Sequence, residues 1–279
     1  MRYLFPKLVC TFALLTLGAI TSNARANSTE LPTWQILEFE QRALWAIAKS
    51  RIELSAAPWQ PGQWLLDANS SVVNNSEEVH LRLQAESGQL ISRSRLSLGK
   101  GQRFKTYDYR AQHILRERRE PGLDPAQAAA QWPVTSSIEI AYPGALGDTV
   151  LTEAYALLLV AGRFLDSDAN ATVVAVHTDQ NFYRISMSRG QDTAIDVNYQ
   201  LAGAGQVEGK RDARTVKLEI TALGQPRDKA DFRLLGLSGD IELLFEAGTG
   251  LPLQLRGTAP RIGATQINLK SAALRESPQ

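Results

Sequence analysis

The stretch from Lys100 to Arg119 is the part of the sequence whose residue types and spacing best suit binding chemistry. Seven Lys and Arg residues stand there among two acidic ones, with aromatic residues interleaved. Such cations bind phosphate or carboxylate groups through charge-assisted hydrogen bonds, and aromatic rings add stacking and cation–π contacts. The sequence therefore predicts contact with an anionic ligand or surface through Arg103, Phe104, Lys105, Tyr107, Tyr109 and Arg110.

The same stretch has a second explanation that needs no ligand. Charged side chains on exposed strands discourage edge-to-edge pairing of sheets, so this pattern is equally typical of a solvated strand face. If a ligand is bound, the positive charge favours a phosphate-bearing lipid headgroup or another anionic component of a cell envelope. Both explanations are compatible with the sequence.

Motifs for nucleophilic catalysis or metal binding are weak. No serine lies in a Gly-x-Ser-x-Gly elbow. The three histidines, His80, His113 and His177, are far apart and form no His-x-His or His-x-x-x-His pair, which are the spacings that favour a local metal site. We therefore predict no catalytic residue, no metal site and no cofactor.

Carboxylates are plentiful but none stands in a distinctive setting. Asp148, Asp179 and Asp240 lie near Gly, Asn or Thr, where Asp is common for backbone reasons in turns and caps. A structural role is the simpler interpretation of these residues. A hydrolase that gathers Asp and Glu residues from separate strands stays open as an alternative, because glycoside hydrolysis needs two carboxylates across a cleft.

Residues Met1–Ala26 have the three parts of a cleavable secretory signal. Arg2 and Lys7 supply positive charge, Leu8–Ile20 is an apolar run, and alanines occupy the small-residue positions before the cleavage point. We expect export, to the periplasm of a Gram-negative cell, with no transmembrane segment left after cleavage. The leader also contains the only cysteine, Cys10, so the exported chain has neither disulfides nor thiol ligands.

The charge balance argues against a nucleic-acid partner. The whole chain has 30 Lys and Arg against 29 Asp and Glu, and the leader holds three of the former and none of the latter. The exported part is therefore close to neutral and has no global field that would attract nucleic acid.

Alternation of apolar and polar residues predicts strands over most of the exported chain. In the C-terminal half, apolar residues stand at every second position of Ser238–Glu246, Leu251–Gly257 and Ala264–Leu274, which is typical of a sheet with one dry face. The segment Thr33–Leu54 fits a strand or a helix, and we favour a strand. One helix is predicted over residues 148–165, and its nearly all-apolar middle indicates burial.

The run Lys100–Tyr109 and the segment Glu242–Gly257, with its Thr-Gly-Leu-Pro turn, resemble a bacterial exported family known as domain of unknown function 3108. The resemblance covers roughly Leu37 to Leu274. It implies a periplasmic, β-rich protein with a curved sheet or partly open barrel, and it implies no activity and no catalytic residues.

These observations predict a mainly β fold: an antiparallel meander that forms a strongly curved sheet or partly open barrel, with one buried helix, in a single domain over residues 27–279. A curved sheet covered by a helix can enclose an apolar ligand. The first functional hypothesis is a non-catalytic envelope protein that binds a lipid or another apolar ligand. The alternatives are the carboxylate-dependent hydrolase and a structural module that binds a partner protein.

Overall fold

A computed structural model of the chain describes residues 31–43, 46–124, 126–225, 230–260 and 262–275. The predicted leader lies outside the described residues. The described residues form sixteen strands, one α-helix and two short 3-10 helices, Ala129–Gln131 and Gly144–Leu146. None of the helices in the described part of the chain has the length and apolar character that crossing a membrane requires.

The first eight strands lie in chain order and pair with one another antiparallel. Their bounds are β1 Trp34–Ala43, β2 Ala46–Ala56, β3 Gln63–Val72, β4 Asn75–Gln84, β5 Leu90–Leu98, β6 Arg103–Tyr109, β7 His113–Arg119 and β8 Val134–Ala141.

The remaining strands extend the same sheet from the other side of β1, in the order β16, β15, β14, β13, β11, β10 and β9. Their bounds are β9 Leu151–Thr152, β10 Ala171–His177, β11 Phe182–Arg189, β12 Thr193–Leu201, β13 Gly205–Leu223, β14 Ser238–Glu246, β15 Pro252–Ala259 and β16 Gly263–Leu274, and the helix α1 spans Leu157–Asp166.

Strand β12 turns part of this sheet into a partial ring. It pairs with β13 along its whole length and also makes two parallel pairs with β16, Gln200 with Ser271 and Leu201 with Ala272. The five strands β12 to β16 thereby close on themselves at one end. The predicted mainly β, strongly curved sheet with one helix is confirmed, and the described part of the segment Thr33–Leu54 lies mainly in strands β1 and β2.

The helix starts later than the sequence predicted. Leu151 and Thr152 pair with Ala175 and Val176 as a short parallel strand, which holds the preceding backbone in an extended conformation. The helix therefore begins at Leu157 rather than near residue 148, and no side chain caps its first turn. The predicted start of the helix at residue 148 was wrong, because pairing with β10 satisfies backbone groups that a helix would otherwise use.

The helix fills the space between the two halves of the sheet. Six of its ten residues are buried, and they join one continuous core with the inner faces of β1–β5 and of β10–β15. Leu157 and Leu158 are fully buried, and Phe164 and Leu165 are 4% exposed. Five surface clefts of the described chain are lined by strand and loop residues and by no residue of this helix. This packing favours a filled core over one that holds a ligand.

Candidate functional site

The inner face of the sheet changes character between β4 and β5. On β1–β4 this face is mainly aliphatic, whereas on β5–β7 the strand register brings six cationic side chains together. We call this group the basic face; its members are Arg93, Arg95, Arg103, Lys105, Arg116 and Arg118. The grouping follows from the two-residue period of a strand, because residues of equal parity on paired strands share a face.

Four of the six residues predicted from sequence lie on this face, and two do not. Arg103, Lys105, Tyr107 and Tyr109 have the same parity on β6. Phe104 lies on the opposite face, between Leu96 and Arg119 of the neighbouring strands. Arg110 follows the end of β6, is exposed, and donates a hydrogen bond from Nε to Asp108 Oδ2 at 2.9 Å.

An aspartate from a distant turn is bound in the middle of the basic face. Asp179 lies in the turn between β10 and β11, and its carboxylate accepts three hydrogen bonds. Lys105 Nζ donates to Oδ2 at 2.5 Å, and Tyr107 and Arg116 donate to Oδ1 at 2.6 and 3.1 Å. Burial alone would raise the pKa of Asp179, but the bonds from Lys105 and Tyr107 and the nearby charges outweigh it and hold this pKa well below its usual range. Asp179 is therefore ionised at neutral pH.

Arg93 fixes the backbone of the same turn. Its guanidinium donates to the carbonyl oxygen of His177 at 2.7 Å and to that of Thr178. It also stacks over the ring of Tyr107, 3.7 Å from the ring centroid, and lies 3.9 Å from Glu153 Oε1. Burial raises the pKa of Glu153, and the charge of Arg93 opposes that change. A buried arginine with two carbonyl acceptors and an aromatic platform is a rigid support for the turn.

Asp231 binds the turn from its other side. Its Oδ1 accepts hydrogen bonds from Thr178 Oγ1 at 2.9 Å, Asn181 Nδ2 at 3.0 Å and the Tyr183 hydroxyl at 2.9 Å. The β10–β11 turn is thus held between Asp231 and the basic face.

His177 is fully buried beside this turn. Its Nδ1 lies 2.9 Å from the Tyr109 hydroxyl, its ring is tilted over that of Phe182, and its Nε2 has no hydrogen-bond partner within the described part of the chain. Burial, together with the charge of Arg93, lowers the pKa of His177 well below its ordinary value. The imidazole is therefore neutral in the folded protein.

The neutral state of His177 predicts acid sensitivity. The unfolded chain takes up a proton near pH 6.5 and the folded chain does not, so stability falls as the pH drops from 7 to 5, by up to about 1.4 kcal/mol per pH unit. Glu153, with its raised pKa, acts in the opposite direction. In His177→Phe we expect a weaker fall in melting temperature over this range than in the wild type. Equal slopes in the two proteins would contradict the role of His177.

Part of the basic face remains accessible beyond the turn. Arg95, Arg103 and Arg118 are half-buried; we call these three residues the basic shelf. Arg95 Nε donates to Glu77 Oε2 at 2.7 Å, and Arg118 pairs with Glu120. Arg103 makes no hydrogen bond or ion pair within the described residues, so its guanidinium is available to an external anion.

Several residues of this site were missed by the sequence analysis. Asp179 had been interpreted as an ordinary turn residue, and Arg93 and His177 had not been connected to the basic stretch. Arg93 and Arg95 are two positions apart, so both side chains lie on one face of β5, and β5 pairs with β6. This spacing was the sequence signal that could have added these two cations to the site. Nothing in the local sequence indicates that a turn more than sixty residues downstream contacts them.

The described residues contain no group of three or more His, Cys, Asp or Glu side chains arranged to hold a metal ion. No protein-family model, curated protein or solved structure matches this chain.

Proposed function

We propose that this protein is an exported envelope protein that binds phosphate-bearing lipid headgroups at the basic shelf. The observation that carries the proposal is the clustering of six cations on one sheet face, of which three remain half-exposed and one, Arg103, has no partner in the described part of the chain.

The way in which the basic face binds Asp179 is an example of how the basic shelf would bind an external anion. Asp179 is an anion of the chain itself, and Lys105, Tyr107 and Arg116 bind it in a partly buried setting. The same strands carry further guanidinium groups on the shelf. Guanidinium groups bind phosphate oxygens in the same bidentate manner as carboxylates, so a headgroup phosphate suits this face.

The filled core supports a headgroup ligand over an enclosed apolar one. The helix α1, which would have to cover an apolar cavity, is itself packed into the core. A ligand that contacts the shelf through its charge needs no such cavity. Binding of this kind involves no bond breaking at the shelf.

Vesicle binding tests the proposal directly. The protein is expected to co-sediment with phosphatidylglycerol vesicles and not with phosphatidylcholine vesicles, and binding should weaken as salt screens the charges. Each basic residue near an anionic surface contributes about 1 kcal/mol. The double variant Arg103→Gln/Arg118→Gln should therefore bind about 30-fold more weakly, given that 1.4 kcal/mol is tenfold in affinity.

A matched control separates the shelf from net charge. The double variant Arg42→Gln/Arg184→Gln also removes two positive charges, but from exposed positions on β1 and β11. This variant should bind like the wild type. An equal loss in both double variants would show that only net charge matters, and absence of binding to anionic vesicles by the wild type would refute the proposal.

A further inference from the structure

The outer face of strands β3, β4 and β5 brings an aspartate, a histidine and a serine into one row. Asp67 on β3 is paired across the sheet with His80 on β4, and His80 is paired with Ser94 on β5. These residues are far apart in sequence, and no short motif joins them. Adjacent strands are about 4.8 Å apart, and directly opposed side chains on one face have Cβ atoms about 5 Å apart. Each member of the row is therefore a direct neighbour of the next.

The imidazole of His80 is oriented by Asp67. His80 Nδ1 lies 2.6 Å from Asp67 Oδ1, a hydrogen-bond distance at which the ring nitrogen donates and the carboxylate accepts. Asp67 is the only hydrogen-bond partner of His80 among the described residues. A proton held on Nδ1 leaves Nε2 with a lone pair. Ser94 is the residue paired with His80 on β5, the strand on the other side of β4 from Asp67. This order of carboxylate, imidazole and hydroxyl is the arrangement that activates a serine for nucleophilic attack.

A solvent-accessible hollow of about 410 Å³ lies over the row and is lined by all three residues, together with Leu65, Arg82 and Thr106. Arg82 follows His80 by two residues and therefore lies on the same face. It makes no hydrogen bond or ion pair within the described part of the chain, and its buried Nε atom is without a partner. A cationic donor in this position can stabilise negative charge that develops on a substrate oxygen.

We propose that Ser94 is a nucleophile and His80 a general base for the hydrolysis of small carboxylic esters in this hollow, with Asp67 as the positioning residue. Ser94 Oγ forms a bond to the ester carbonyl carbon while His80 Nε2 takes the hydroxyl proton. The bond from that carbon to the alcohol oxygen then breaks, and the proton passes to the departing alcohol. Water, deprotonated by the same imidazole, attacks the acyl carbon. The bond from that carbon to Ser94 Oγ breaks, the imidazole returns the proton to Oγ, and the acid is released.

The assignment goes beyond the proposed lipid binding and is independent of it, because the basic shelf lies on the opposite face of the sheet. It also departs from the expectation of a non-catalytic protein. That expectation rested on the absence of a local serine motif, whereas this row exists only through the register of β3, β4 and β5.

Covalent labelling tests the nucleophile. The full exported chain is incubated with a fluorophosphonate, and the intact mass is measured. One adduct is expected, located on Ser94 by peptide mapping, together with hydrolysis of p-nitrophenyl acetate. Ser94→Ala should lose the adduct and the hydrolysis, and Ser92→Ala should retain both. Ser92 is the matched control because it lies two residues away on the same face, opposite Arg82 rather than His80.

The base and the positioning residue are tested by rates. His80→Gln should lower the labelling rate at least about 100-fold, the usual contribution of a general base. Asp67→Asn should lower kcat for p-nitrophenyl acetate with KM nearly unchanged, because the carboxylate orients the imidazole and does not contact the ester. A merely structural role of Asp67 would not produce that separation of kcat from KM. Melting curves show whether each variant is folded.

Two results would overturn the assignment. The first is a folded wild-type protein that acquires no adduct and does not hydrolyse the ester. The second is labelling that persists unchanged in Ser94→Ala. Either result leaves the vesicle-binding proposal intact, since the shelf variants do not involve this face.

Discussion

Replacing Asp179 by alanine is expected to lower the free energy of unfolding by about 3 kcal/mol, the lower end of the cost of removing one partner from a buried ion pair. Lys105 and Arg116 have side chains only 10% and 8% exposed, and Asp179 is the acceptor that both of them share. Without it, two buried cations and the Tyr107 hydroxyl lose the acceptor that they share, so part of the desolvation cost of each is no longer compensated. Denaturant unfolding of the variant and the wild type measures this difference.

Asp108→Ala is the matched control for Asp179. Asp108 also pairs with an arginine, Arg110, but its side chain is 61% exposed. Exposed ion pairs contribute about 0–1 kcal/mol, so the control should unfold almost like the wild type. Equal stability of the Asp179 variant and the wild type would show that the turn is not held by the basic face.

The lowered pKa of Asp179 adds a dependence on acid. Because the pKa is lower in the folded state, the carboxylate contributes stability above the pKa of the unfolded chain, near 4, and this contribution is lost as the pH falls further. The stability difference between the wild type and Asp179→Ala should therefore narrow below about pH 4.

Leu253→Asp is expected to prevent folding. Leu253 lies on β15, is 2% exposed, and belongs to the continuous core. An ionised carboxylate placed there without a partner costs several kcal/mol, comparable with the whole stability of a domain. Circular dichroism of the purified variant should lack a cooperative melting transition. Thr258→Asp, at an exposed position on the same strand, should have a melting temperature close to that of the wild type. A folded Leu253→Asp variant would show that the buried face of the sheet has been assigned incorrectly.

Strand positions were predicted well where alternation is strong. The bounds of β14 agree with the sequence-based expectation, because apolar and polar residues alternate there between clear turns. Strand β3 was missed. Its second half, Asn69–Val72, is rich in Ser and Asn, which resemble turn residues until the pairing partners on β2 and β4 are known.

The candidate sites show why the remaining contacts lay beyond a sequence-based prediction. The basic stretch was recognised from composition, but its division into two faces separates Phe104 from Lys105 and requires the register. Asp179 occurs in a turn, where aspartate is common for backbone reasons. Only the folding of β10 and β11 onto β5–β7 reveals its second role. Likewise, Asp67, His80 and Ser94 meet through three strands whose alignment no local motif encodes.

The pairing of β1 with β16 has a consequence for how the molecule is assembled. Trp34 lies beside Leu274, so strands from opposite ends of the described chain meet near the middle of the sheet, with eight strands on one side of this junction and the rest on the other. Contacts between residues so distant in sequence carry a large loop-closure entropy, and sheets dominated by them fold slowly, on a scale of milliseconds to seconds. The two halves can therefore pair along this junction only once the chain is available as far as β16. Until then, the strands that end at this junction expose unpaired edges, and the polypeptide is most vulnerable to aggregation at that stage.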